Sequence, residues 1–187
     1  IKDLATDTAV IIARQKGAIA LPQNPLQDFG IELGFDDIIP VLPKDVVTAV
    51  WAREKCRFGC QRFGKGLQCP PWGMNHEKTR QLLDSYSKAF LVKGAPPGKN
   101  FHKALLSLEK KAFLDGFHKA FVFGAGPCLI CPQCPEDDKC KFPHLARPSM
   151  EGSGIDVYAT ASNAGVPLKP VKEKGQYVTY IGLLLVE

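Results

Sequence analysis

Seven cysteines in two tight groups are the residues through which this sequence could do chemistry. The first group is Cys56-x3-Cys60-x8-Cys69 and the second is Cys128-x2-Cys131-x2-Cys134-x5-Cys140. Four thiols within thirteen residues are more than packing requires. Thiolates so close on one loop can converge on a single metal centre. A C-x2-C-x2-C run closed by a further cysteine is an iron–sulfur pattern. Zinc prefers paired C-x2-C knuckles set further apart. The last gap of the second group is five residues, where the bacterial ferredoxin run has three. It stays open whether Cys140 serves the cluster of Cys128, Cys131 and Cys134 or crosses to the other one.

Two [4Fe–4S] clusters would need about eight ligands, and the chain has seven cysteines. One iron is then left for a non-cysteine ligand, a water, a substrate or a partner. An open iron is a Lewis acid, whereas a fully capped cluster passes electrons only. The leading expectation is an iron–sulfur redox protein in which one cluster relays electrons to a second, site-differentiated cluster that acts on a small substrate. A different class is a pure electron carrier or accessory subunit of a larger redox enzyme. A third is a zinc-stapled binding module, with zinc replacing the two clusters.

Other residues are candidate helpers. His76 and His144 read as surface residues before ligands, and His102 and His118 as solvated. Arg62, Lys65 and Arg147 could steady an anionic cluster or substrate, or could be solvated. Trp72 reads as a shield against water, which also tunes potential.

Composition sets the frame. A 187-residue chain is long enough for one domain with a core. No apolar run approaches the ~18 residues that span a bilayer, so no membrane role is expected. An odd, clustered cysteine count argues for metal-bound thiolates in a reducing, cytoplasmic compartment over a disulfide framework. The net charge of +5 is mild and no basic run exceeds Lys110-Lys111, so nucleic acid is not an expected partner. A redox partner protein or a small-molecule substrate is.

The elements that must carry these groups can be read in outline. Residues 1–49 lack cysteine and read as an N-terminal extension, with Pro22, Pro25, Pro40 and Pro43 breaking it up. Residues 55–75, rich in Gly and Pro, read as a loop. Asn75 caps a helix over about 76–88, with Leu82, Leu83 and Tyr86 inward. A strand follows at 89–92. Asn100 caps the next helix, whose apolar positions are Phe101, Leu105, Leu108, Ala112 and Phe113. A second strand falls at 120–123. Strand, helix and strand make a βαβ unit, which implies parallel strands. The second cysteine group then leaves the carboxyl end of a parallel strand, the usual ligand position. Ser153 opens a capping box for a helix ending before Gly165. The last strand, 177–186, is apolar on both faces and belongs inside a sheet. The expected fold is α/β, a single domain with a mostly parallel or mixed sheet and cysteine-bearing loops over residues 50–187.

One further set of residues has a family resemblance. Cys56-Arg57-Phe58-Gly59-Cys60, Gly64-Lys65, Cys69-Pro70-Pro71 and Gly126-Pro127-Cys128 belong to it, with Cys131, Cys134, Cys140 and Pro143. Arg147-Pro148-Ser149-Met150-Glu151 and Gly154-Ile155-Asp156 complete it. Together they resemble a family of small prokaryotic predicted metal-binding proteins found mainly in anaerobes. The resemblance covers about residues 50–187. It implies that all seven cysteines are metal ligands, and it implies no reaction.

Overall fold

A buried four-stranded sheet organises the chain. The structure, a computed structural model, describes residues 24–94, 99–137, 139–173 and 175–187. The apolar run at residues 8–13 lies outside them. The strands are β1 (Asp37–Val41), β2 (Ala89–Gly94), β3 (Phe121–Phe123) and β4 (Tyr180–Leu185). Their spatial order is β1-β2-β4-β3, and every neighbouring pair is antiparallel.

The expected parallel or mixed sheet is therefore corrected. β2 and β3 do run in the same direction, since both are antiparallel to β4, but β4 lies between them. The crossover is a split βαβ. The reason lies in β4 itself, whose residues 181–185 are all buried. A strand apolar on both faces gains most in the sheet interior, and β4 takes the position the crossover would otherwise close.

Among the described residues there are five helices: α1 (Pro25–Glu32), α2 (Val50–Gly59), α3 (His76–Asp84), α4 (Lys99–Leu114) and α5 (Val157–Asn163). α1 starts with a capping box between Asn24 and Gln27 and with Pro25 at its first position. Leu26 of α1 and Ile38 of β1 are buried in the same core as β2 and α4. Residues 24–41 thus belong to the sheet and core that the later elements build. Pro40 lies in β1, an edge strand, where a missing N–H is tolerated.

Alternation along β2 divides the core in two. Phe90 and Val92 face α4, while Ala89 and Leu91 face Leu83 of α3, Met150 and Ile155. Phe101, Leu105, Leu108 and Ala112 of α4 are buried as expected, but Phe113 is 57% exposed. It lies one residue, about 100° around the helix, beyond the buried stripe. Asn100 falls inside α4 and is not its cap. α3 has the expected Asn75 cap, whose side chain accepts from the Lys78 N–H, but ends at Asp84. Asp156, not Ser153, caps α5, accepting from the Ala159 N–H at 3.0 Å.

One buried ion pair ties α4 to the site region. Glu109, on α4, accepts from the Val122 N–H of β3 at 3.0 Å. The Arg147 guanidinium donates to both its carboxylate oxygens, at 3.0, 3.0 and 2.6 Å. Breaking such a pair leaves an uncompensated buried charge and costs about 3–5 kcal/mol, while replacing both partners by apolar residues costs far less. Glu109→Ala should therefore lower the urea midpoint strongly, and the double variant Glu109→Leu/Arg147→Met should recover much of that loss. Equal destabilisation by the two would refute this account.

Candidate metal centre

The first cysteine group begins on a helix, not in the expected loop. Cys56 lies in the last turn of α2 and Cys60 is its C-cap, with the Cys60 N–H donating to the Cys56 carbonyl at 3.1 Å. Four residues apart on a helix is about one turn, so the C-x3-C spacing puts both thiols on one side. Tight turns then bring in Cys69, whose N–H donates to the Gly66 carbonyl at 2.9 Å. The Gly64 N–H closes the loop onto the Pro70 carbonyl at 2.9 Å. Gly64 has φ +73°, and at Gly73 a Cβ would lie 2.7 Å from the Gln68 carbonyl oxygen. Glycine is required at both positions. Arg53 of α2 secures the exit, donating to the carbonyls of Pro71, Gly73 and Met74 at 3.2, 3.1 and 2.5 Å.

The second group hangs from the end of β3. Residues 147–156 form a strap that fixes its root. The Gly124 N–H donates to the Pro148 carbonyl at 2.8 Å and the Met150 N–H to the Gly124 carbonyl at 2.9 Å. The same strap reaches the first group. At Gly152 a Cβ would stand 2.9 Å from Ser149 Oγ and 3.5 Å from Pro70 Cδ. At Gly154, with φ +79°, it would stand 2.6 Å from His76 Cβ.

The two groups meet at Cys69 and Cys128. The Cys128 N–H donates to the Cys69 sulfur. Cys60 and Cys69 lie close enough to Cys56 to act on its charge, and Cys131, Cys134 and Cys140 do the same to Cys128. Burial pushes the thiols of Cys56, Cys69 and Cys128 up, and their thiol neighbours add to the rise. Hydrogen bonds from backbone N–H groups pull Cys69 and Cys128 partly back. All seven thiols are free of disulfides. Among the described residues, no three His, Cys, Asp or Glu side chains converge tightly enough to form a ready coordination site. The fold thus makes the thiols neighbours without drawing them to one point.

Between the loops lies a cleft of about 530 Å³, lined by Arg62, Lys65, Trp72, Gln133 and Cys134 among others. The Arg62 charge lowers the Cys69 thiol against its burial. Trp72 is 58% exposed and its Nε1 donates to the Gly64 carbonyl at 3.4 Å, so it walls the cleft without being sealed. Arg147 is committed to Glu109 and is not free for an anion. His102 is not simply solvated, because its Nε2 lies 2.7 Å from the Leu145 carbonyl oxygen beyond the second group. His76 packs its backbone and Cβ against Gly154.

Sequence reasoning passed over Glu151. Its carboxylate is pushed up by burial, offset in part by its own N–H, the Gly126 N–H and the Ser149 hydroxyl. Its Oε2 is sealed from solvent without a hydrogen-bond partner. Nothing in the composition of 147–156 marks this acid as buried. Its only signal was its place within the quoted Arg-Pro-Ser-Met-Glu run.

The α/β scaffold thus carries two adjacent thiol loops joined by one strap. The chain matches the family described as "predicted metal-binding protein (DUF2284)" over residues 40–186 and belongs to it. No curated protein and no solved structure matches the chain significantly. No helix among the described residues is long and apolar enough to cross a membrane.

The strap should be the least tolerant segment. Gly154→Ala combines a positive φ with a clash on His76, and backbone strain alone is about 1–3 kcal/mol. Thermal unfolding should show a lowered midpoint and the purified protein less bound metal. Gly116→Ala also has a positive φ, but with open space around its Cβ, so it should show only the strain and no loss of metal.

Proposed function

We propose that this protein is an iron–sulfur redox protein with two [4Fe–4S] clusters, one on each cysteine group, that acts on a small substrate. The observation that carries this reading is the contact between Cys69 and Cys128, with a cleft beside it. Two centres built on these groups would be neighbours, as an electron relay needs. When bound, the clusters would supply one-electron transfer and, at an iron without a cysteine ligand, a Lewis-acid position for substrate.

The chain's own residues support this reading in three ways. All-sulfur donor sets suit iron–sulfur clusters or zinc, and one C-x2-C-x2-C run leans to iron. Cys140 acts on Cys128 together with Cys131 and Cys134, which favours its joining that group and not crossing. Arg62 and Lys65 line the cleft and would offset the charge of about −2 that a four-thiolate cubane carries. The same two cations could orient an anionic substrate.

A second reading has its own observation. Phe58 is 81% exposed, and Val50, Trp51 and Trp72 are exposed near the first group. Such apolar surface suits docking on a larger redox enzyme, with this chain as carrier or accessory subunit. An open iron should change its EPR signal on adding cyanide, and a pure carrier should not.

Iron, acid-labile sulfide and zinc should be measured on protein purified without oxygen. About eight iron and eight sulfide per chain are expected, and zinc with no sulfide would sink the iron–sulfur reading. Cys140→Ser should remove one cluster's signal and leave the other. Metal uptake should also release protons. The Cys56, Cys69 and Cys128 thiols lie above their ordinary range, hence are protonated at neutral pH, and the ligand is the thiolate. Affinity should therefore rise with pH and fall in acid, as a cobalt titration across neutrality would read.

A further inference from the structure

Two four-ligand centres need about eight donors, and the cysteines supply seven. We infer that Glu151 is the eighth ligand, its carboxylate oxygen completing the centre built on Cys56, Cys60 and Cys69. This rests on the reading that both cysteine groups hold metal, but not on which metal they hold.

Glu151 heads the short turn Glu151–Ser153 in the strap. Its Oε2 is cut off from solvent with no hydrogen-bond partner among the described residues. Its own N–H, the Gly126 N–H and the Ser149 hydroxyl serve the carboxylate but leave Oε2 without a donor, and a buried polar atom so left is costly. No side-chain cation meets it. The ion pairs of the described residues are Arg57–Glu54, Arg80–Asp84, Lys111–Asp115 and Arg147–Glu109. Arg53, beside Cys56, donates its guanidinium to loop carbonyls. A metal cation would supply the partner that Oε2 lacks.

The location fits the group that is one donor short. The Glu151 charge acts directly on Cys56. Its neighbour Gly152 packs 3.5 Å from Pro70 Cδ, measured from where a Cβ would be, and Pro70 follows Cys69. The second group already has four thiols. A carboxylate is also the harder donor and the weaker partner for a thiophilic centre. It would be the ligand a substrate displaces, which gives a seven-cysteine protein an exchangeable position without leaving it permanently open.

The test is Glu151→Gln, which keeps the size and removes the anionic donor. Anaerobic wild-type and variant protein would be compared by metal and sulfide content, Mössbauer spectroscopy and EPR, with thermal unfolding of the metal-free forms as the control for folding. In the wild type, about one iron in eight should give a distinct Mössbauer doublet. In the variant that doublet should vanish, with about one iron lost and a three-iron EPR signature gained. Unchanged iron content and spectra would overturn the assignment. If the variant does not fold, the wild-type spectrum decides alone, and eight equivalent all-sulfur irons would refute it. If the wild type holds zinc and no sulfide, the iron–sulfur reading fails while this inference is still tested. The variant should then bind the zinc of the first group at least ~10-fold more weakly, the scale on which even outer-shell partners act. Equal zinc affinity would overturn it.

Discussion

Everything at the site depends on the backbone bonds of residues 147–156. Within this run, Pro148 and Met150 hold Gly124 and so the root of the second cysteine loop. The Gly154 carbonyl accepts from Ala49 and the Asp156 N–H donates to Val47, which fixes the entry into α2 and the first loop. The Ser153 carbonyl accepts from Thr79 Oγ1 of α3 at 2.8 Å. Met150 and Ile155 are fully buried beneath. Small residues between them let four pieces of chain approach one ten-residue segment. The two cysteine groups are some sixty residues apart in sequence, and this strap is what gives them a shared geometry.

That geometry is electrostatically unfavourable for the thiolate forms. Neighbouring thiols resist ionisation because each thiolate would face others in a partly dry setting. The N–H groups aimed at sulfur and the cation of Arg62 oppose this only in part. Neutral thiols can lie side by side without converging, which is the arrangement the fold provides. A metal cation bound by the thiolates would reverse the balance by displacing their protons. On the proposed reading, folding places the donors and metal would supply the free energy that draws them together.

Much of this was legible in the sequence, and the exceptions have physical causes. Strands β2, β3 and β4 and most of the buried stripe of α4 followed from their apolar patterning, because burial acts directly on side-chain spacing, whereas β1 lay hidden in a stretch that its prolines mark as broken. The sheet order did not follow. Periodicity reports that β4 is buried but not which strands flank it. Gly59 and Gly64 suggest a loop around Cys56, yet the helix runs through Gly59 and ends only at Cys60. Arg147 offered a positive charge that fitted an anion site, and only tertiary packing revealed Glu109 beneath it. Glu151 was invisible for the same reason. A lone acid carries no sign of burial until the strap closes over it.

The shortness of β3 connects fold to site. β3 pairs with β4 for three residues, Phe121 to Phe123, and then Gly124 makes a parallel bridge with Ser149. The strap thus continues the sheet at its outer edge, where an unpaired strand would otherwise offer free N–H and C=O groups. A longer β3 would carry the chain past this point and leave the second cysteine loop without an anchor. A parallel neighbour in place of β4 would leave β3 no buried antiparallel partner. Because β4 takes the centre, β3 is held at the edge, Gly124 just beyond it meets the strap, and the cysteines begin five residues after Phe123. The same event that blunts the edge of the sheet sets the two thiol loops side by side.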